Sequence, residues 1–178
     1  MGPRACYDES KRVGETLCYI YNNYYNLHTN IIRPFNVYGP GMNQKDYRIF
    51  PNFISNIING KKINVYGSGN QTRTYCYITD ALEGFLRVLY FGKPGEVYNI
   101  GNNKPITLGR FISSIESSTG VKAKKNLMPM QLGDVPETHA DIDELIHDIG
   151  FKPSVSIEEG IGKFVHWYQE IGKHLEDN

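Results

Sequence analysis

From Tyr7 onward the apolar residues Val13, Leu17, Ile20, Tyr24 and Leu27 recur at steps of 4, 3, 4 and 3, the period of one helix face. Tyr7, Lys11, Gly14 and Cys18 fall on a second face of the same segment, so one side can pack while another carries chemistry. The pattern then shortens. Thr29 to Val37 is rich in β-branched residues and predicts one buried strand, closed by the turn Tyr38-Gly39-Pro40-Gly41. Arg48 to Asn59 reads as a helix beginning near Phe50, because Pro51 is tolerated only in a first turn. Strands follow at Ile63 to Tyr66, Thr72 to Ile78 and Glu96 to Ile100. Helices are predicted from Ala81 to Tyr90, with Thr79-Asp80 as its cap, and from Thr107 to Ser118. Beyond a basic linker, Lys122 to Lys125, and a loop over 131–136, the chain ends in helices at Asp141 to Ile149 and Ser156 to His174, the second opened by a Ser156/Glu159 capping box.

Alternation of strands and helices predicts an α/β fold with a parallel sheet. Ligands of such sheets gather at the carboxyl ends of the strands, which here places Pro34, Phe35 and Asn36. Asn36 also fits a simple turn-shaping role. A chain of 178 residues that is 40% hydrophobic is long enough for one domain, burying about 70% of its unfolded surface. The 19 basic residues balance 19 acidic ones without a basic run, which argues against nucleic acid or an anionic membrane as partner. No apolar stretch approaches the about 20 residues of a membrane span, and no signal peptide is evident, so the expected location is the cytoplasm. Cys6, Cys18 and Cys76 are scattered without a CxxC and read as reduced thiols rather than a zinc site.

Tyr7 and Lys11 stand one helical turn apart. A free tyrosine, with a pKa of about 10, is a poor base at neutral pH, but a neighbouring ammonium favours the phenolate and opens proton transfer to it. Spacing by itself fits an exposed Tyr/Lys pair equally. Arg73 at the start of a strand is able to bind a pyrophosphate bidentately, or to serve as a surface charge. Gly67-Ser68-Gly69 is followed by a strand rather than a helix and reads as a turn, not a phosphate loop.

Taken in order, YDESK at 7–11, RPFNVYGPG at 33–41, VYGSGNQTRTYCYITD at 65–80, GEVYNIGN at 95–102, LGDVPETHADIDEL at 132–145 and GFKPSVSIEEGI at 150–161 resemble the second half of extended short-chain dehydrogenase/reductases, the NAD-dependent nucleotide-sugar epimerase/dehydratase family. The resemblance covers essentially the whole chain. It implies the C-terminal part of a Rossmann-like NAD(P)-binding fold, with partial sheet and helices over about 1–40 and 72–100 and a substrate-binding lobe over about 41–71 and 101–178. Residues 4–12, RACYDESKR, resemble UDP-glucuronate decarboxylases, whereas 131–141, QLGDVPETHAD, resemble UDP-glucuronate 4-epimerases. Both readings share UDP-glucuronate as substrate.

Carried over residue by residue, the resemblance implies that Tyr7 is the catalytic base and that Lys11 favours its ionised form and holds the nicotinamide ribose. Pro34 and Phe35 would lie beside the nicotinamide and Asn36 against the sugar nucleotide. Asn52 and Tyr66 match positions near the uridine, Arg73 matches the diphosphate-binding arginine, and Gln131 and Asp134 fall in a segment closing over the nucleotide. The implied chemistry forms a 4-keto sugar. A decarboxylase lets this β-keto acid lose carbon dioxide and then returns the hydride to the 4-keto pentose, giving UDP-xylose; a 4-epimerase keeps the carboxylate, rotates the keto sugar and returns the hydride to its other face. The family's glycine-rich turn does not precede Tyr7, so the chain is expected to hold only part of the NAD site and to show little activity in isolation, as a UDP-sugar-binding module or an inactive portion. The Tyr7–Leu27 helix is expected to form a homodimer in the complete protein, or to pack on the sheet.

Overall fold

The computed structural model describes residues 5–43, 46, 48–130 and 135–172. Helix α1 spans Ala5–Tyr24 and buries no residue. The apolar stripe that predicts it faces outward, with Val13 57% and Leu17 49% exposed. Its inner side is the more polar row Glu15, Cys18 and Asn22. Glu15 takes both Nε and Nη2 of Arg33 at 2.6 Å, and the Cys18 carbonyl accepts from the Thr29 hydroxyl at 2.9 Å. Polar ties, not apolar burial, thus hold α1 to the chain.

The strand predicted over 29–37 is two strands, β1 (Ile31–Pro34) and β2 (Val37–Tyr38). Asn36 interrupts them with φ of 43°, a left-handed conformation that asparagine tolerates better than most residues. Helix α2 (Ile49–Ile58) carries Pro51 in its first turn as predicted, and β3 (Lys62–Tyr66) follows. The stretch 72–78 is likewise broken, into β4 (Thr72–Arg73) and β5 (Cys76–Tyr77). Helix α3 (Ile78–Phe91) has Tyr77 at its N-cap without a side-chain cap. Asp80 is therefore not the cap; its carboxylate instead accepts the backbone N–H groups of Ser154 and Val155, each at 2.9 Å.

Beyond α3 come β6 (Val97–Ile100), β7 (Ile106–Thr107), α4 (Leu108–Thr119), β8 (Lys124–Met128), α5 (Asp143–Ile149) and α6 (Ile157–Glu170). Ser156 caps α6 by accepting from Glu159 N–H at 3.1 Å, and the Glu159 carboxylate turns to Lys163. The supposed basic linker at 122–125 is in part strand β8. Its residues are exposed on both faces, so no apolar alternation marks it, as is common for a charged edge strand.

Three strand pairs are parallel, β1 with β6, β2 with β5 and β3 with β8, and β4 with β7 is antiparallel. Two apolar cores result. One gathers α2, α4 and α6 around Tyr38, Phe50, Phe111 and Phe164, with the rings of Tyr38 and Phe50 stacked at 3.9 Å. The other lies between β6, α3 and α5 around Tyr98, Ile100 and Leu145. Among the described residues no helix is long and apolar enough to cross a membrane.

Candidate active site

Side-chain alternation along two strands builds the wall of a cavity of about 520 Å³. On β3, Ile63 and Val65 go into the core while Asn64 and Tyr66 line the cavity, as a period of two requires. Gln71, Arg73 and Tyr75 line it at the same spacing, and α2 adds Asn52. Asn36 completes it from the β1–β2 break. Four residues singled out in the sequence, Asn36, Asn52, Tyr66 and Arg73, therefore meet in one place. Asn64, Gln71 and Tyr75 were not singled out, although their two-residue offset from Tyr66 and Arg73 is a signal that could have found them.

Asn36, Asn52, Arg73 and the Gln71 amide nitrogen are each held. Asn36 Nδ2 donates to the Thr74 carbonyl at 2.7 Å, which fastens the β1–β2 break to the β4–β5 break. Asn52 Oδ1 accepts from Asn56 Nδ2 at 3.2 Å. Gln71 Nε2 donates to the Tyr66 carbonyl at 2.8 Å, and its Oε1 is buried with no hydrogen-bond partner among the described residues. The Arg73 guanidinium donates to the carbonyls of Val135 at 2.6 Å, Thr72 at 2.8 Å and Pro136 at 3.3 Å. These contacts fix the position of the guanidinium, whose planar fork suits a diphosphate.

Tyr7 and Lys11 do not line this cavity. They share one face of α1, with Lys11 Nζ 5.4 Å from the centroid of the Tyr7 ring and Tyr7 56% exposed. Pro34 and Phe35 stand at the carboxyl end of β1, where Phe35 N–H donates to the Ile100 carbonyl at 2.8 Å. Gly101 permits this approach: a Cβ there would lie 2.8 Å from the Cβ atoms of both Phe35 and Ala140. Gln131 and Asp134 lie outside the described residues, one to five positions before the Val135 and Pro136 carbonyls that Arg73 holds. No group of His, Cys, Asp and Glu among the described residues is able to hold a metal ion.

Residues 1–101 match the family described as NAD dependent epimerase/dehydratase. The chain belongs to this family. Among its relatives, protein CapI of Staphylococcus aureus is 39% identical over 96% of this chain and 56% of its own. UDP-glucuronic acid decarboxylase 1 of Xenopus tropicalis is 33% identical over 100% of this chain and 42% of its own. The crystal structure of UDP-glucuronic acid 4-epimerase from Bacillus cereus, in complex with UDP-glucuronic acid and NAD, superposes with a TM-score of 0.85 at 30% identity, covering 93% of this chain and 52% of that one. This member of the epimerase/dehydratase family thus spans about half the length of the relatives it matches, and its fold is the Rossmann-like α/β fold of the extended short-chain dehydrogenases.

Proposed function

We propose that this chain is the substrate-side portion of an NAD-dependent enzyme acting on UDP-glucuronate, a decarboxylase that forms UDP-xylose through a 4-keto sugar. The observation that carries the reading is the convergence of Asn36, Asn52, Tyr66 and Arg73 on one cavity. Its volume of about 520 Å³ falls in the range of small-ligand sites. Arg73 binds the diphosphate, Asn52 and Tyr66 receive the uridine, and Asn36 orients the sugar. Gln131 and Asp134 belong to the segment that closes over the nucleotide.

Tyr7 takes the proton of the C4 hydroxyl, and the ammonium of Lys11 over its ring stabilises the charge that develops on the phenol. The accessible phenol and ammonium on one helix face, with Pro34 and Phe35 at a strand's carboxyl end, fit the nicotinamide and its ribose. When bound, NAD supplies the hydride acceptor and returns the hydride. The chain spans about half the length of its relatives and on this reading holds a part of that site. A ketone at C4 makes the C5 carboxylate that of a β-keto acid, from which carbon dioxide departs readily.

A second reading, a UDP-glucuronate 4-epimerase, is favoured by the likeness to the Bacillus cereus enzyme and by the segment 131–141. The chain would then hold the carboxylate so that carbon dioxide is retained. In the complete protein the exposed stripe of α1 pairs with a second copy. Calorimetric titration with UDP tests the common core of both readings: Arg73→Ala is expected to weaken binding about tenfold or more, and unchanged affinity would sink the assignment. In a complete form, Tyr7→Phe should abolish turnover and spare UDP binding, and the identity of the product, pentose or galacturonate, separates the two reactions.

A further inference from the structure

A second cavity, of about 450 Å³, opens on the other side of Tyr75, the one residue that lines both. Its walls come from the loop after β6, the first turn of α4 and the loop that enters α6. Lys104, Arg110 and Lys152 line it, together with Asn102, Ser154 and Ser156. Among the described residues the one acidic side chain lining it is Glu158, and Arg110 already answers it through Nε and Nη2 at 3.0 and 2.8 Å. Lys104 and Lys152 have no ion pair among the described residues. The cavity therefore carries two uncompensated positive charges in a chain whose formal net charge is zero, and nothing in the first cavity calls for them.

The walls are also fixed in advance. Asp80 holds the backbone of Ser154 and Val155 from beneath, and Ser156 is tied down as the cap of α6. Thr107 caps α4 by accepting from Arg110 N–H at 3.1 Å, which sets the start of the arginine as well. A rigid pocket with two free ammonium groups, hydroxyls and an amide suits a compact anion whose several oxygens accept at once. Phosphoryl oxygens answer that description.

We propose that this cavity is a second ligand site, separate from the nucleotide cavity, for the phosphoryl or pyrophosphoryl group of a small molecule. The inference rests on Lys104 and Lys152 and does not depend on the reaction assigned above. Inorganic pyrophosphate is the probe. It is titrated into the ¹⁵N-labelled chain carrying Arg73→Ala, which removes the cation of the first cavity. Saturable shifts are expected at Asn102, Lys104 and Lys152 to Ser156. Adding Lys104→Glu and Lys152→Glu should weaken binding about tenfold or more. Both lysines are exposed, so the variant is expected to keep the circular dichroism of the parent. Affinity unchanged by the two glutamates, shifts confined to Asn36, Asn52 and Tyr66, or no saturable binding would each overturn the proposal.

Discussion

Asp80 is a carboxylate with 6% exposure that receives two backbone N–H groups from a loop more than seventy residues away. Removing it takes the charged acceptor away from two part-buried backbone donors. Asp80→Ala should therefore cost about 2–4 kcal/mol, read from the urea midpoint at constant slope. Its neighbour Cys76 is fully buried, and burial, with the charge of Asp80 adding to it, pushes the thiol up to about 12. A thiol reagent at neutral pH should modify exposed Cys6 promptly and reach Cys76 only after unfolding; rapid labelling of all three would contradict the burial. At this scale the sequence was informative about which residues matter and silent about their contacts. Arg73 and Asn36 stand out in their motifs, yet nothing in the sequence pairs them with the carbonyls that hold them, those of Val135, Pro136 and Thr74.

Elements differ in what fastens them. Helix α5 is pinned at its end by Asp148, which takes Lys93 Nζ at 2.5 Å, His147 Nδ1 at 2.8 Å and the Tyr98 hydroxyl at 3.3 Å. The Lys93 bond first, and then His147, hold the Asp148 carboxyl below its ordinary 3.8. A group with a depressed folded pKa contributes stability above its unfolded value and loses it as pH falls through the folded one. The melting temperature should accordingly drop on acidification below about pH 4, and Asp148→Asn should flatten that limb of the curve. The boundaries of α2 and α4 and the start of α6 were readable because capping and period act locally, within one turn; the end of α6, expected at His174, comes at Glu170. Strand β8 was not readable, since its place is decided by pairing with β3 across about sixty intervening residues and not by an alternation of its own.

Over the whole molecule, the two cores gather β2 to α6 while α1 contributes no buried residue. A helix fastened by surface ion pairs gains little from them. Its amides are expected to exchange hydrogen far faster than those of α4 and α6, a contrast that mass spectrometry would resolve. Its outward Val13 and Leu17 should also promote concentration-dependent association in sedimentation, weakened by Val13→Lys and Leu17→Lys together. What the sequence determined by itself was the class of fold, the order of most elements and the set of candidate residues, because periodicity, caps and ordered motifs are written in neighbouring positions. Only the tertiary structure decided that Asn36, Asn52, Tyr66 and Arg73 share one cavity, that α1 turns its polar row inward, and that Lys104 and Lys152 meet across a second pocket. Those outcomes depend on strand pairings and buried hydrogen bonds between distant segments, whose free energy exists only once the chain has folded.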